Sequence, residues 1–355
     1  MNLDQFDPDA ACAPNHHYFG FPFEPESCPL VLVSVPWDVT VSYRKGAAQG
    51  PLAIRQASVQ LDFFDFEMPD IWKKGIGTWP FEASEEIAKL SETLRPMAER
   101  AIAWQEARRE DLPDAYSEAD FKADLEAVNA GGERMNGWLR NLASGLIAKE
   151  RTVGVVGGDH SSPLGLMQAL GEVHDSFGIL HFDAHADLRR AYENFTFSHA
   201  SIMYNALQIE SVSRLVQVGI RDVCVQEQER VAEMAGRVVQ FPDVLLHHRL
   251  LEGEPWCEIC KDIVAALPEK VYVSFDIDGF EPSLCPHTGT PVPGGVNFQQ
   301  VRYLLSCLRK SGRRIIGFDL CEVAPDARDP QDEWDGNVGA RTLFLLSNTL
   351  LANHG

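Results

Sequence analysis

The ten residues Leu180–Arg189, LHFDAHADLR, place two carboxylates and an imidazole at every second position: Asp183, His185 and Asp187. In an extended chain alternate residues share a face, so these three side chains would project together. Carboxylates and an imidazole converging on one point are the chemistry of a bound cation. Three other apolar runs end in a similar way. VVGGDHSS carries Asp159 and His160, VSFDIDGFEP carries Asp276 and Asp278, and GFDLCEVAP carries Glu322.

If those runs are strands of one sheet, His160, Asp183, His185, Asp187, Asp276 and Asp278 meet at one rim. Six ligands are too many for one tetrahedral zinc ion and too rich in carboxylate for a structural zinc site. Mixed oxygen and imidazole ligation suits Mn2+, with Ni2+, Co2+ or Fe2+ as competitors. Two divalent ions about 3.5–4 Å apart, joined by shared carboxylates, match the count. Asp183 and Asp276 are the natural bridges, since each leads a two-residue alternation toward a second ligand. The plain alternative is a set of solvated loop carboxylates. Beside buried strands, however, four aspartates and two histidines would repel one another or go unsatisfied.

The elements that must position these residues follow from the chain's periodicity. PLVLVSVPWD (29–38) is a β-rich apolar run, and a helix starts after Gly50-Pro51, where proline's missing N–H does little harm. From Arg151 onward strand-like and helix-like stretches alternate: TVGVVGG, SPLGLMQALGEV, FGILHFD, RLVQVGI, a helix over 225–236, VYVSFDID, FQQVRYLLSCLRKSG, RIIGFDLCEV and RTLFLLSNTLLANHG. That order predicts an α/β fold, a mainly parallel sheet with helices on both faces, and ligands beyond the carboxyl ends of the strands. Residues 83–149 differ, with apolar residues at three- and four-residue spacing amid many charges. They read as amphipathic helices joined near Pro113 and capped by Ser117, an insertion lying on the main sheet. Residues 1–27 read as an arm or cap, and 28–355 as a single catalytic domain.

Composition narrows the function. A formal charge of −21, from 31 Lys+Arg against 52 Asp+Glu, argues against nucleic acid or an anionic membrane surface as partner. No apolar run approaches the roughly 18 residues of a membrane span. Eight scattered cysteines and an N-terminus without a secretory pattern point to the cytoplasm. Cys257 and Cys260 form a lone C-x-x-C in a helical stretch, which reads as ordinary thiols in the absence of a second pair or a histidine partner.

GGDHS, DAHAD and SFDIDGFEPSLCPHTGTPVPGG resemble the arginase/agmatinase ureohydrolase superfamily, and PWDVTVSYRKGAAQGPLAIRQAS (36–58) resembles its N-terminal segment. The resemblance covers about residues 30–68 and 150–350, and implies a three-layer arginase-like fold, a binuclear manganese hydrolase and a trimer or hexamer. It implies that His160, Asp183, Asp187 and Asp276 hold one ion, and Asp183, His185, Asp276 and Asp278 the other. It further gives His199, in FTFSHASIM, the place of a proton-shuttling histidine, and Glu322 that of the carboxylate gripping a guanidinium. One departure is Glu281-Pro282, where the family has aspartate before proline; it lies outside the ligand set.

The chemistry asks for these residue types. A guanidinium carbon is a poor electrophile, so water must become hydroxide near neutral pH, and metal binding lowers its pKa from 15.7 toward about 7. Asp187 would orient that nucleophile, His199 would protonate the leaving amine, and Glu322 would pair with the planar guanidinium. Arg189, Glu193 and Thr290 lie where a substrate tail could reach. An arginine contact would favour arginine, 4-guanidinobutyrate or formiminoglutamate, whereas Glu193 would favour the ammonium of agmatine. Thr290 sits in GTPVPGG (289–295), a turn shaping the pocket wall. His181 reads as a hydrogen-bonding neighbour of the ligands. Besides an amidinohydrolase releasing urea, three readings compete: a formiminoglutamase, a one-zinc deacetylase, which the full ligand set disfavours, and a non-catalytic metal-binding regulator.

Overall fold

The structure is a computed structural model that describes residues 6–10, 16–329 and 331–354. Its first half comprises β1 (Leu30–Val35), α1 (Gly50–Ser58), β2 (Ile76–Thr78), α2 (Glu85–Gln105), α3 (Glu118–Ile147), β3 (Thr152–Gly157), α4 (Leu164–Val173) and β4 (Phe177–Phe182). There follow α5 (Ile202–Ala206), β5 (Val212–Val218), α6 (Val225–Glu233), β6 (Val238–Phe241), α7 (Asp243–Leu251), α8 (Trp256–Ala265), β7 (Lys270–Asp276), α9 (Phe298–Lys310), β8 (Arg314–Cys321) and α10 (Trp334–Asn353). The strands form one eight-stranded sheet in the order β2-β1-β3-β8-β7-β4-β5-β6. Every pairing is parallel.

Both faces of the sheet are covered, so its central strands can be apolar throughout. On one face Ile54 of α1, Ile263 of α8, Leu304 of α9 and Leu343 of α10 close over Leu32, Leu180 and Val273. On the other, Leu94 and Ile102 of α2, Met135 and Leu139 of α3, and Met167 of α4 close over Val33, Val153 and Ile179. The helices of 83–149 thus share a core with the strands. Ser117 caps α3 in a reciprocal box with Asp120. The two edge strands, β2 and β6, were not expected from sequence. They have three and four residues, too few for a periodic signal.

Of the segment read as an arm, residues 1–5 and 11–15 lie outside the described residues. Tyr18, Phe19 and Phe21 are fully buried in the core, and the Tyr18 hydroxyl meets Ser34 Oγ at 2.8 Å. Among the described residues no helix is long and apolar enough to cross a membrane, and all the cysteines are free thiols.

One register interrupts the apolar interior. Asp319 of β8, Ser274 of β7, His181 of β4, Gln217 of β5 and Gln240 of β6 are successive in-register partners. The first four are fully buried. This polar row crosses five strands directly beneath the rim.

Candidate active site

The four clusters sit at the carboxyl ends of β3, β8, β7 and β4, which are consecutive in the sheet. Two glycines allow that convergence. A Cβ on Gly158 would lie 1.9 Å from Trp37 O, and one on Gly279 would lie 2.8 Å from Asp183 N. Any side chain there would push β3 or the Asp278 turn away from its neighbour. The alternation read from DAHAD ends with the strand at Phe182. Asp187 has φ +53°, so a turn rather than an extended face brings it back toward His160. Glu322, just past β8, also sits in the left-handed region at φ +64°. That conformation is uncommon for a glutamate and is found where a site over-determines the backbone.

The ligand candidates form two groups. His160 Nδ1 lies 3.1 Å from Asp183 Oδ2, 3.0 Å from Asp187 Oδ2 and 3.3 Å from Asp276 Oδ2. His185 Nδ1 lies 3.1 Å from Asp278 Oδ2 and 3.4 Å from Asp183 Oδ1. Asp183 therefore presents one oxygen to each group. Both carboxylates also accept a backbone N–H two residues on, Asp183 Oδ1 from His185 at 2.5 Å and Asp276 Oδ1 from Asp278 at 2.9 Å. Asp276 Oδ2 faces His160.

The electrostatics show whether a cation fits. Asp183, Asp187, Asp276 and Asp278 are buried, and among the described residues no lysine or arginine pairs with any of them. Burial, then repulsion from Asp278 and Asp183, pushes the Asp276 carboxyl well above its ordinary range. Burial and Asp183 push Asp187 up to about 7. Asp183 is held well below the usual value: burial opposes this, but His181, His160 and His185 outweigh it. Burial would lower His160 and His185, yet the surrounding carboxylates raise both well above ordinary imidazole. Four buried carboxylates packed against two histidines, with no lysine or arginine paired to them among the described residues, are a nest of negative charge. Divalent metal ions would balance it, and the nitrogen and oxygen donors suit Mn2+, Ni2+ or Co2+.

A cleft of ≈ 160 Å³ opens above these groups, lined among others by Ser42, His199, Thr290 and Glu322. Glu322 Oε1 accepts the His160 backbone N–H at 2.9 Å. Burial and then Asp159 raise its carboxyl well above the usual range, and among the described residues no lysine or arginine pairs with it. His199 is half-buried, edge-on to Tyr192 at 6.2 Å. Burial, then the positive charge of His185 and Arg95, lowers its imidazole to about 3. The proton donor near neutrality that the sequence suggested is thus a neutral ring in the free site. Thr290 Oγ1 reaches Asp278 Oδ2 only at 3.4 Å.

Arg189 stands at the mouth, its guanidinium 4.7 Å over the Tyr192 ring and its Nε 3.8 Å from Glu227 Oε2. Glu193 does not line the cleft. Sequence reading missed Asp222 and Glu227, which do. Asp222 follows β5 as the ligands follow their strands, and the same rule could have found it. Glu227 disguises itself as a helix cap, accepting the Cys224 N–H at 3.1 Å, while its other oxygen accepts Leu188 N–H at 3.0 Å.

Residues 28–344 match the arginase family model. An N(1)-aminopropylagmatine ureohydrolase of Thermus thermophilus is 33% identical over 85% of this chain and 85% of its own length. An agmatinase of Neisseria meningitidis is 30% identical over 83% of this chain and 79% of its own. Among solved structures, a proclavaminate amidino hydrolase from Streptomyces clavuligerus superposes with a TM-score of 0.70 at 21% identity, covering 98% of this chain and 100% of that one. That likeness shows the three-layer fold. The chain belongs to the arginase family.

Proposed function

We infer that the chain is a binuclear-metal ureohydrolase that cleaves a C–N bond of a guanidino compound to urea and an amine. One observation carries this: Asp183 is shared by two ligand groups on the floor of a cleft whose walls hold Glu322 and His199. His160, Asp183, Asp187 and Asp276 would hold one ion, and Asp183, His185, Asp276 and Asp278 the other, with Mn2+ first among candidates and Ni2+ or Co2+ as alternatives. When bound, the ions make water acidic enough to lose a proton near neutral pH.

The chain's own residues supply the rest. Glu322 takes the guanidinium in a charge-assisted pair, which favours its carboxylate form. Asp187 faces the same space and orients the attacking water. His199, neutral at rest, can pick up the proton released in the cleft and hand it to the departing amine. Because Arg189 is engaged by Tyr192 and Glu227, and Asp222 and Glu227 line the mouth, the tail favoured is an amine rather than a carboxylate. The relatives named for agmatine and aminopropylagmatine support that choice. A cytoplasmic homo-oligomer, trimer or hexamer, completes the reading.

The test is turnover by metal-loaded protein of agmatine, aminopropylagmatine, arginine, 4-guanidinobutyrate and formiminoglutamate, with urea and ammonia measured. Urea from the amine-tailed substrates is the expected result. Breakdown of formiminoglutamate without urea would favour a formiminoglutamase. Silence on all five with metal bound would favour a regulator.

A further inference from the structure

We propose that the polar row across the sheet is a positioning device for Asp183, in which Gln217 fixes His181 as the Nε2–H tautomer so that His181 donates to the shared carboxylate and does not itself ligate an ion. The proposal rests on the reading of Asp183 as a metal ligand. His181 Nε2 lies 2.9 Å from Asp183 Oδ2, and its ligand atoms cluster closely with those of His160, Asp183 and Asp187. By distance alone, His181 could be a ligand or a donor. The hydrogen bonds behind it decide.

Gln217 has an amide atom 2.8 Å from the Ala186 carbonyl oxygen. A carbonyl can only accept, so that atom is the NH2 nitrogen. The same nitrogen lies 2.9 Å from His181 Nδ1, and its second hydrogen points there. Nδ1 is therefore an acceptor without hydrogen, and the neutral ring carries its proton on Nε2, facing Asp183. The opposite end agrees. Gln217 Oε1 accepts from Gln240 Nε2 at 2.9 Å, and Gln240 Oε1 accepts from Gln228 Nε2 at 3.1 Å. Four hydrogen bonds thus point the same way, from Gln228 at the edge of the sheet to the metal-binding rim. For His181 to offer Nε2 to an ion, its proton would have to move to Nδ1 and meet the Gln217 NH2 hydrogen against hydrogen.

His181 and Gln217 are fully buried, on strands that are otherwise apolar there. Burying an imidazole and an amide is tolerated only when their bonds are made, and an apolar pair would fill the space with less at stake. Across the row, Ser274 Oγ lies 2.9 Å from His160 Nε2, placed to accept the Nε2–H that leaves Nδ1 free to ligate. The row therefore aims both the imidazole of the first group and the carboxylate common to both. Such outer partners typically set metal affinity by about 10–100-fold.

The experiment compares wild type, His181→Phe, His181→Gln and Gln217→Met as full-length, metal-stripped chains. Mn2+ affinity is read by titration calorimetry, and the ring tautomer of metal-free wild type and Gln217→Met by nitrogen-15 NMR. The proposal expects a single Nε2–H form in wild type and a mixture in Gln217→Met. It expects Mn2+ binding weakened about 10–100-fold in His181→Phe, with partial recovery in His181→Gln, whose amide can still donate. An Nδ1–H wild type would overturn it without any variant needing to fold. So would unchanged Mn2+ affinity in a folded His181→Phe. A wild type that binds no divalent ion would instead remove the metal site itself, and with it the ureohydrolase reading.

Discussion

The floor of the cleft is built from strand ends and its mouth from loops, and the two are held in different ways. On the floor, Asp183 is wholly buried and Asp276 and Asp278 are nearly so, each with backbone or side-chain partners that fix its oxygens. At the mouth, the Asp222 side chain is 70% exposed and Arg189 41% exposed, held by a ring face and a distant carboxylate. Low dielectric magnifies every charge on the floor, whereas water and salt screen those at the mouth. On the proposed function, the reaction is fixed by parts that cannot adjust, and substrate choice is left to parts that can.

The contrast is broken most severely by removing the residue that both metal groups share. Asp183→Ala should lose both ions by elemental analysis and lower kcat/KM by about 10²–10⁴-fold, the scale of a broken buried charge set. Retention of two ions would show that the floor does not depend on Asp183. The next largest effect tests the wall. Glu322→Gln keeps the Oε1 acceptor used by the His160 N–H and deletes only the charge. It should leave metal content intact and reduce kcat/KM by about 10²-fold, because the guanidinium then lacks its partner. Metal loss in this variant would mean that Glu322 supports the floor rather than grips substrate.

The same division governs what the sequence makes legible. Floor residues follow long apolar runs, and a carboxylate or imidazole there has few explanations besides a ligand, so all six candidate positions could be named from type and spacing. The way they converge could not be read. Asp187 returns through a left-handed turn, which strand alternation does not show. Mouth residues carry no such pattern. Arg189 and Glu193 sit in one loop with opposite signs, but only Arg189 lines the cleft. Asp222 follows β5, 33 residues beyond Arg189 in sequence. The alignment of Gln217 with His181 needs strand register, which apolar runs alone do not specify.

A smaller effect should appear in the pH dependence of stability. His160, His185 and Asp276 are raised well above their ordinary values in the metal-free site. A group whose pKa is higher folded than unfolded contributes stability that is lost as pH rises through the folded value. Depressed histidines such as His181 and His199 have the opposite sign, but above about pH 7.5 they are neutral folded and unfolded alike. Buried thiols weaken metal-free and metal-loaded chains together. From about pH 7.5 to 9, therefore, the metal-free chain should lose melting temperature faster than the Mn2+-loaded one, by a few degrees at ~2–4 °C per kcal/mol. Parallel curves by calorimetry would show that the floor's proton sharing is not what metal replaces.

The smallest effect belongs to the mouth, and its sign carries the information. Asp222→Asn removes an exposed negative charge, so an amine-tailed guanidine should bind about two- to five-fold more weakly, seen in KM with kcat unchanged. Arg189→Ala removes the opposing charge and should lower KM for the same substrate by a similar factor. High salt should shrink both changes, since neither group is shielded from water. With 4-guanidinobutyrate the two signs should exchange, because its tail is an anion. If Arg189→Ala instead raised KM for agmatine, the stacked arginine would be holding the mouth in shape rather than repelling the tail, and selectivity would have to be sought along the turn that carries Thr290.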